Sequence, residues 1–252
     1  MHPPRAEPCS LLGRRGPRNR FAVVRTDLDR LRAAAHGAGG TVNDALLAAI
    51  SGALHSVLAG RGESLPTLVF AVMVTARRTA TAEQLGNVAT PLLVDVPAEG
   101  DVTERLRRIA GTVRAARATA AGPSMLDALG PLFRVLAAAG LYRWYMNRQR
   151  RFHTLVSNVP GPARPLAFSG AAFSSIVPVD VGDVRDVRLT FLALSYGGTL
   201  TVTVIADPDA LPELPGLAAA LGTELDALSA GQDLAERNDV VARGARPGDP
   251  AR

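Results

Sequence analysis

Histidine is the side chain that most readily exchanges protons near neutral pH, and this sequence contains four: His2, His36, His55 and His153. Asp44, Ser51 and His55 would share one helical face and carry the residue types of a hydrolase triad. Eleven residues of helix, however, place Asp44 about 16 Å from His55, which is too far for the hydrogen-bonded contact of a triad. The spacing therefore excludes this nucleophilic site.

His153 stands alone immediately before an apolar segment. A single histidine without a neighbouring carboxylate is more often structural than catalytic, although action as a lone general base stays open. No nucleophile elbow, zinc-protease helix, Walker A loop or dinucleotide fingerprint occurs in the sequence. Cys9 is the only cysteine, so the sequence predicts neither an internal disulfide nor a metal site built from several cysteine thiolates.

The segment that follows His153 reads TLVSNVPGP, residues 154–162. Its apolar residues predict a buried strand, which ends on the hydrogen-bonding side chains of Ser157 and Asn158. Pro160 and Gly161 then predict a type II turn, in which the glycine takes a positive φ. Ser157 and Asn158 either brace a wall of the fold, which we favour, or contact a ligand directly.

A second polar pair stands at the start of a predicted helix. Thr41 is a suitable N-cap, and Asp44 three residues later completes a variant of the capping box. Capping accounts for Asp44, whereas the amide of Asn43 is left to brace a neighbouring loop. A contact between Asn43 or Asp44 and a ligand is the alternative.

Composition restricts the class of protein. With 252 residues, 47% of them hydrophobic and 4% aromatic, the chain can bury a core filled by Ala, Leu and Val. The single cysteine and the lack of an apolar export segment indicate a reducing, cytoplasmic location. The net charge of +5 comes entirely from arginine, because the chain has no lysine. No RNA- or DNA-binding motif accompanies that charge, so we expect no nucleic-acid partner.

The order of the predicted elements indicates a mixed α and β fold around one main sheet. Residues 1–20 are rich in Pro, Gly and Arg and predict an extended linker or arm, residues 21–230 predict the folded lobe, and residues 231–252 predict a loose tail. Within the lobe, strands are predicted from Phe21, Thr67, Asn87 and Thr154, helices after Asp27, Thr41, Asp101 and Asp209, and a β-hairpin around Gly197 and Gly198.

Residues 125–146 are the most apolar stretch of the chain. Arg134 and Arg143 interrupt it, which argues against a transmembrane span. A buried helix is the more frequent structure for such a stretch, and a helix lying on a lipid surface is the alternative.

Several motifs occur together in one order: GTVNDALLAAISGAL, LGNVATPLLVDVP, LVSNVPGPARPLAFSGA and ALSYGGTLTVTVIADPDALPEL. This ordered set, preceded by SLLGRRGPRNRFAVVRTDLDRLRAAA, resembles the bacterial wax ester synthase/diacylglycerol acyltransferase family and covers nearly everything from Ser10 to the last helix. The resemblance implies a chloramphenicol-acetyltransferase-like fold: an α+β lobe with a mixed sheet packed against helices. It corresponds to the C-terminal lobe alone.

In that family, the first lobe carries the catalytic signature H-H-x-x-x-D-G, which this sequence lacks. The resemblance therefore implies no catalytic residue here and no metal. It implies instead that a set of residues binds substrate or braces the interlobe channel: Asn43, Asp44, Arg77, Gly86, Asn87, Ser157, Asn158, Pro160 and Gly161.

The implied function is one wall of the channel in which an acyl-CoA co-substrate esterifies diacylglycerol or a fatty alcohol, giving triacylglycerol or wax ester. No permanent cofactor is expected. The implied partners are a separately encoded N-terminal lobe or a homologous chain, with peripheral contact to the inner membrane or lipid bodies. The alternative is a non-catalytic acyl-CoA- or lipid-binding lobe, or the remnant of a truncated gene.

Overall fold

The computed structural model describes residues 6–13, 15–75, 89–119, 150–162, 164–180 and 187–244. In chain order the elements are β1 (Arg20–Asp27), α1 (Leu28–Gly37), α2 (Val42–Gly60), β2 (Thr67–Thr75), β3 (Ala89–Pro97), α3 (Val102–Thr119), β4 (Thr154–Pro160), β5 (Ala167–Phe168), β6 (Ala171–Ala172), β7 (Leu189–Tyr196), β8 (Thr199–Ala206) and α4 (Leu214–Gly244).

One mixed sheet organises the fold, with the strand order β1-β8-β7-β4-β2-β3. Its three central strands, β7, β4 and β2, run parallel, whereas β1–β8, β7–β8 and β2–β3 pair antiparallel. β1 and β3 form the two edges, so the first strand of the chain pairs with the last. The predicted mixed sheet packed against helices is confirmed. β5 and β6 form a separate two-stranded sheet.

The four helices of the described part of the chain all contribute to a core on one face of the large sheet. α2 lies at its centre and contacts α1, α3 and α4. Its run of small residues, including Ala48, Ala49 and Ala53, is fully buried, which lets neighbouring helices approach closely. α2 is the one described helix long and apolar enough to cross a membrane, but 67% of its apolar window is buried inside the fold. That burial is typical of a core helix.

Local signals predicted several boundaries correctly. The side chain of Thr41 caps the backbone N–H of Asp44, and Asp44 Oδ2 accepts from the backbone N–H of Thr41 at 2.8 Å. Asp27 and Asp101 cap α1 and α3 in the same way, through their side-chain oxygens. These caps satisfy backbone donors that a helix leaves without partners.

The β7–β8 hairpin also forms where the sequence predicts it. Gly197 and Gly198 connect the two strands with φ values of 54° and 82°, the pair of positive values that a type I′ turn requires. On β8, Thr201 and Thr203 lie on the same face of the strand, and both side chains are buried. This face is therefore lined by hydroxyl groups without being open to water.

The last helix extends further than the sequence predicts. α4 continues to Gly244, so the segment from residue 231 begins as helix rather than as a loose tail. Residues 245–252 lie outside the described part of the chain. The apolar stretch 125–146, predicted as a buried or lipid-surface helix, also lies outside it.

The segment before β1 is bound along the lobe. The backbone N–H of Ala6 donates to Arg150 O at 3.0 Å, and Arg188 donates to the backbone oxygens of Ser10 and Leu12. Further along, the N–H of Gly16 donates to an Asp207 carboxylate oxygen at 2.7 Å. This part of the predicted linker, residues 6–13 and 15–16, therefore packs across the lobe, and we call it the strap.

Candidate functional site

The polar end of β4 is the centre of the site that the sequence predicts. Ser157 pairs with Leu192 and Asn158 with Ala193 on the neighbouring strand β7. Both polar side chains are half-buried, and within the described part of the chain neither has a hydrogen-bond partner. Among the described residues, the backbone pairing of β4 with β7 is what positions them.

The Pro160–Gly161 turn differs from the prediction. Gly161 does not adopt the positive φ of a type II turn. A Cβ at this position would instead overlap the backbone carbonyl oxygen of Ser195. The N–H of Gly161 also donates to Ser195 Oγ at 3.2 Å. A glycine is needed here because β4 and β7 approach closely where they end, and not because the turn requires a left-handed backbone.

His153 anchors the start of β4. Its Nδ1 accepts from the backbone N–H of Val69 at 2.9 Å, so the neutral ring carries its proton on Nε2, which donates to Glu7 O at 2.9 Å. Burial lowers the pKa of His153, since charging the ring inside the protein is unfavourable. Both nitrogens are occupied by backbone groups, which supports the structural role and leaves no free atom for a lone general base.

Asn43 and Asp44 lie at the first turn of α2, in the helical layer. Gly40, just before this turn, packs closely against Leu106 and Ala110 of α3. Capping explains only Oδ2 of Asp44. Its Oδ1 and the Nδ2 of Asn43 are buried without a hydrogen-bond partner among the described residues. Buried polar atoms of this kind are costly unless another group satisfies them.

The predicted site residues lie on several elements. Ser157, Asn158, Pro160 and Gly161 lie at or just after the C-terminal end of the central strand β4, whereas Asn43 and Asp44 lie in the first turn of α2. The predicted residues Arg77, Gly86 and Asn87 are outside the described part of the chain. They belong to the connection between β2 and β3, and the strand ends on either side of it, Thr75 and Ala89, pair with each other.

The end of β2 relates that connection to the β4 site. β2 runs parallel to β4, with Met73 opposite Ser157. Thr75, two residues further along β2, therefore lies at the same end of the sheet as the C-terminal end of β4. The last described residue before the β2–β3 connection is thus at the end of the sheet that carries Asn158 and Gly161.

The excluded triad is absent from the structure as well. Ser51 is buried, and its hydroxyl donates to the backbone oxygen of Ala48 at 2.9 Å. Asp44 is engaged with Thr41. No group of three or more His, Cys, Asp or Glu side chains with the arrangement of a metal site occurs among the described residues.

Sequence reasoning missed two buried hydroxyls on the sheet face opposite the helices. Thr190 and Thr203 are 3% and 0% exposed, and neither Oγ1 has a hydrogen-bond partner among the described residues. The register places Thr190 beside Leu155, and Thr203 beside Leu192, which in turn neighbours Ser157. The alternation of threonine along β8 is the only sequence signal that points to this face.

Arg61 lies where the strap crosses the lobe. Arg61 forms an ion pair with Glu213 at 2.6 Å and donates to Ser10 Oγ at 2.7 Å. Hydrogen bonding to Arg61 lowers the pKa of Glu213. The arginine is thus occupied in holding the strap rather than left free for an anionic ligand.

Comparisons with known proteins agree with the predicted resemblance. The family profile described as "WS/DGAT C-terminal domain" matches residues 83–229. The O-acyltransferase WSD of Acinetobacter baylyi is 31% identical over 225 residues, which are 86% of this chain and 48% of that protein.

Solved structures show the same likeness. The wax ester synthase/diacylglycerol acyltransferase of Marinobacter aquaeolei superposes with a TM-score of 0.70 and 26% identity, over 90% of this chain and 52% of that one. A PapA2 acyl transferase shares the fold alone, with a TM-score of 0.53 and 16% identity over 90% of this chain and 47% of that one. The chain spans about half the length of the relatives that it matches.

Proposed function

Since this chain belongs to the wax ester synthase/diacylglycerol acyltransferase family, as its C-terminal domain, we propose that it forms one lobe of a two-lobed O-acyltransferase. In this proposal it contributes one wall of the channel that receives an acyl-CoA and an alcohol acceptor. The profile match over residues 83–229 and the Acinetobacter relative, named an O-acyltransferase, support the assignment.

The observation that carries the proposal is the end of β4. Ser157 and Asn158 are half-buried, have no hydrogen-bond partner in the described part of the chain, and stand on a rigid strand. Polar groups held in this way are suited to contact a substrate or the facing lobe, because their positions are fixed before binding. The close contact of Gly161 with Ser195 keeps the strand end in place.

The reaction we propose is transfer of an acyl group from sulfur to oxygen. The acceptor hydroxyl oxygen attacks the thioester carbonyl carbon, a C–O bond forms, and the C–S bond breaks. A base takes the hydroxyl proton, and the departing CoA thiolate takes up a proton. His153 has both ring nitrogens occupied, so we assign the base to the histidine pair of a facing first lobe. The β4 end then positions reactants and does not exchange the proton.

The acceptors we propose are diacylglycerol and fatty alcohols, and the products are triacylglycerol and wax ester. Both acceptors partition into membranes, whereas acyl-CoA is amphipathic. We therefore propose a cytoplasmic protein that works at the surface of the inner membrane or of lipid bodies, without a permanently bound cofactor.

A fusion protein tests this function. The part of the Acinetobacter O-acyltransferase that precedes its own C-terminal domain is joined in frame ahead of this chain. We expect the fusion to release CoA from palmitoyl-CoA and to form ester with dioleoylglycerol or hexadecanol, as measured by mass spectrometry. The control fusion has the histidine pair of the first half replaced by alanine. Equal activity in both fusions, or none in either, would contradict the proposal.

A non-catalytic lobe that binds acyl-CoA or lipid is the second candidate. The lack of an adjacent histidine pair in the sequence favours it. A calorimetric titration of the chain alone with palmitoyl-CoA separates this candidate from a gene remnant, which would show no saturable binding. Ester formed by the purified chain alone would contradict both.

A further inference from the structure

The segment that follows β4 exposes an unusual amount of apolar surface. Residues 164–180, which we call the projecting arm, have the sequence RPLAFSGAAFSSIVPVD and carry charge only at their ends, on Arg164 and Asp180. Most of the arm is exposed. A segment with this composition would ordinarily be buried, because transfer of an apolar side chain from water into the protein interior is favourable.

The arm holds most of the large apolar side chains that the described part of the chain exposes. Eight such side chains are found, and five belong to the arm: Leu166, Phe168, Phe173, Val177 and Val179. Phe168 is 74% exposed. A further one, Val159, lies on β4 just before the arm and is 51% exposed. A concentration of apolar surface on one element marks an interaction site, whereas scattered apolar residues do not.

The arm has a defined shape. β5 and β6 pair antiparallel, with Ala167 opposite Ala172, and the N–H of Phe173 donates to Leu166 O at 2.9 Å. Ser169 and Gly170 form the two-residue turn, with φ values of 49° and 82°. Both values are positive, as a hairpin turn of this length requires.

Tyr196 fastens the arm to the large sheet. Its hydroxyl accepts from the N–H of Leu166 at 2.8 Å and donates to Phe173 O at 2.9 Å. The two bonds reach both strands of the hairpin at its base. Tyr196 itself is only 6% exposed and belongs to β7, so the backbone at the hairpin base is fixed to the large sheet.

The chemistry of the arm favours a protein as its occupant. The β5–β6 sheet has two strands, and no further strand pairs with either edge among the described residues. Insertion of such a hairpin into lipid would remove its edge N–H and C=O groups from water without a replacement. A protein surface with a strand edge and an apolar groove would satisfy both the backbone groups and the phenylalanines.

We propose that the projecting arm is the docking element through which this lobe binds the facing first lobe, and that Phe168 and Phe173 are its anchors. The inference rests on the proposed two-lobed function and specifies its contact surface. The matched relatives are about twice as long as the aligned part of this chain, so each has a further half that could offer the receiving groove.

Hydrogen–deuterium exchange tests the docking. The chain alone and the fusion described above are compared, and the amides of residues 166–173 are followed by mass spectrometry. We expect at least tenfold slower exchange of these amides in the fusion, because docking removes them from water. In the Phe168→Ser, Phe173→Ser double variant of the fusion, we expect exchange to return towards that of the chain alone.

A matched control is Phe21→Ser, since Phe21 is 61% exposed on β1 and lies outside the arm. This variant should keep the slow exchange. Equal exchange in the chain and the fusion would overturn the proposal. So would protection of the arm in the chain alone, whether it rises with protein concentration, which indicates a second copy, or on addition of phosphatidylglycerol vesicles, which indicates lipid.

Ester formation by the same fusion separates the two proposals. Slow exchange without ester synthesis overturns the proposed function and keeps the docking arm. Ester synthesis with an unprotected arm overturns the docking arm and keeps the function.

Discussion

Arg105 of α3 and Glu224 of α4 form an ion pair directly over the backbone of Gly52 in α2. The arginine side chain is 4% exposed and the carboxylate 21%. Arg105 also donates to the backbone oxygens of Ala48 and Gly100, so its charge is fully surrounded by acceptors. Three helices are joined at a point where one of them has no side chain.

Replacement of Gly52 by alanine should destabilise the lobe. A Cβ would overlap both Arg105 and Glu224, which forces the buried pair apart. The two side-chain ends can shift only by giving up part of their ion pair, so we expect the free energy of unfolding in urea to fall by about 1–3 kcal/mol. The control is Gly111→Ala on α3, where a Cβ would meet nothing within 4 Å. Alanine favours a helix over glycine, so this variant should gain about 0.5–1 kcal/mol. A neutral Gly52→Ala would contradict the packing described.

The stability of the lobe should depend on His153 in a defined pH range. Because burial lowers the folded-state pKa of His153, the unfolded chain binds this proton more readily. The contribution of His153 is therefore complete above its ordinary pKa of 6.5, and it is lost as pH falls through the lowered pKa. Urea titrations between pH 8 and pH 4 should show this loss in the wild type.

In His153→Asn, which keeps an acceptor for the N–H of Val69, this part of the pH dependence should disappear. His36→Asn, at an exposed position in α1, leaves His153 in place and should retain it. The same pH profile for wild type and His153→Asn would show that His153 does not titrate in this way.

Gly161→Ala should weaken the β4–β7 contact. The added Cβ would overlap the carbonyl oxygen of Ser195, and backbone cannot move aside as a flexible side chain can. We expect a loss of about 2–3 kcal/mol in the free energy of unfolding. Gly216→Ala, in the first turn of α4 with nothing near its Cβ, serves as the control and should lose no stability.

The Ser157→Ala, Asn158→Ala double variant distinguishes substrate contact from bracing. Neither side chain has a hydrogen-bond partner in the described part of the chain, so truncation should change the free energy of unfolding by less than about 1 kcal/mol. Under the proposed function, kcat/KM of the fusion should fall at least tenfold, a loss of about 1.4 kcal/mol or more in transition-state binding. A large loss of stability with unchanged activity would instead assign bracing.

Tyr196→Phe should loosen the projecting arm without unfolding the lobe. The variant loses one hydroxyl and with it both hydrogen bonds to the hairpin base. We expect faster amide exchange at Leu166 in the chain alone and a loss of about 1–2 kcal/mol in global stability. Leu192→Val, on the same face of β7, is a control that leaves the hairpin base untouched. Unchanged exchange in Tyr196→Phe would show that the hairpin is held by other contacts.

Features determined by neighbours in the sequence were predictable. Two examples are the capping box of Thr41 and Asp44 and the Gly197–Gly198 turn. Each depends on the conformation of about four consecutive residues, and the residue types found there strongly favour that conformation. The class of the fold followed from the motif order. The capping pattern nevertheless accounts for only one carboxylate oxygen of Asp44, because nothing in the sequence shows that Oδ1 is buried without a partner among the described residues.

Features that depend on distant residues were not predictable. Gly161 carries the sequence signature of a turn, but the atom that requires a glycine belongs to Ser195, 34 residues later in the chain. The same holds for Gly52, whose neighbours lie on two other helices. Only the register of strands and the crossing of helices show which atoms approach a glycine, and neither can be read from local pattern.

The pairing of β1 with β8 has a consequence for how the lobe is made on the ribosome. Arg20 lies opposite Ala206, so the strand synthesised first has no permanent neighbour until nearly the whole lobe has left the exit tunnel. Phe21 and Val23 of this strand are exposed even in the folded lobe. Completion of the sheet is therefore a late event in the folding of the lobe, because pairing of strands so distant in sequence is slow.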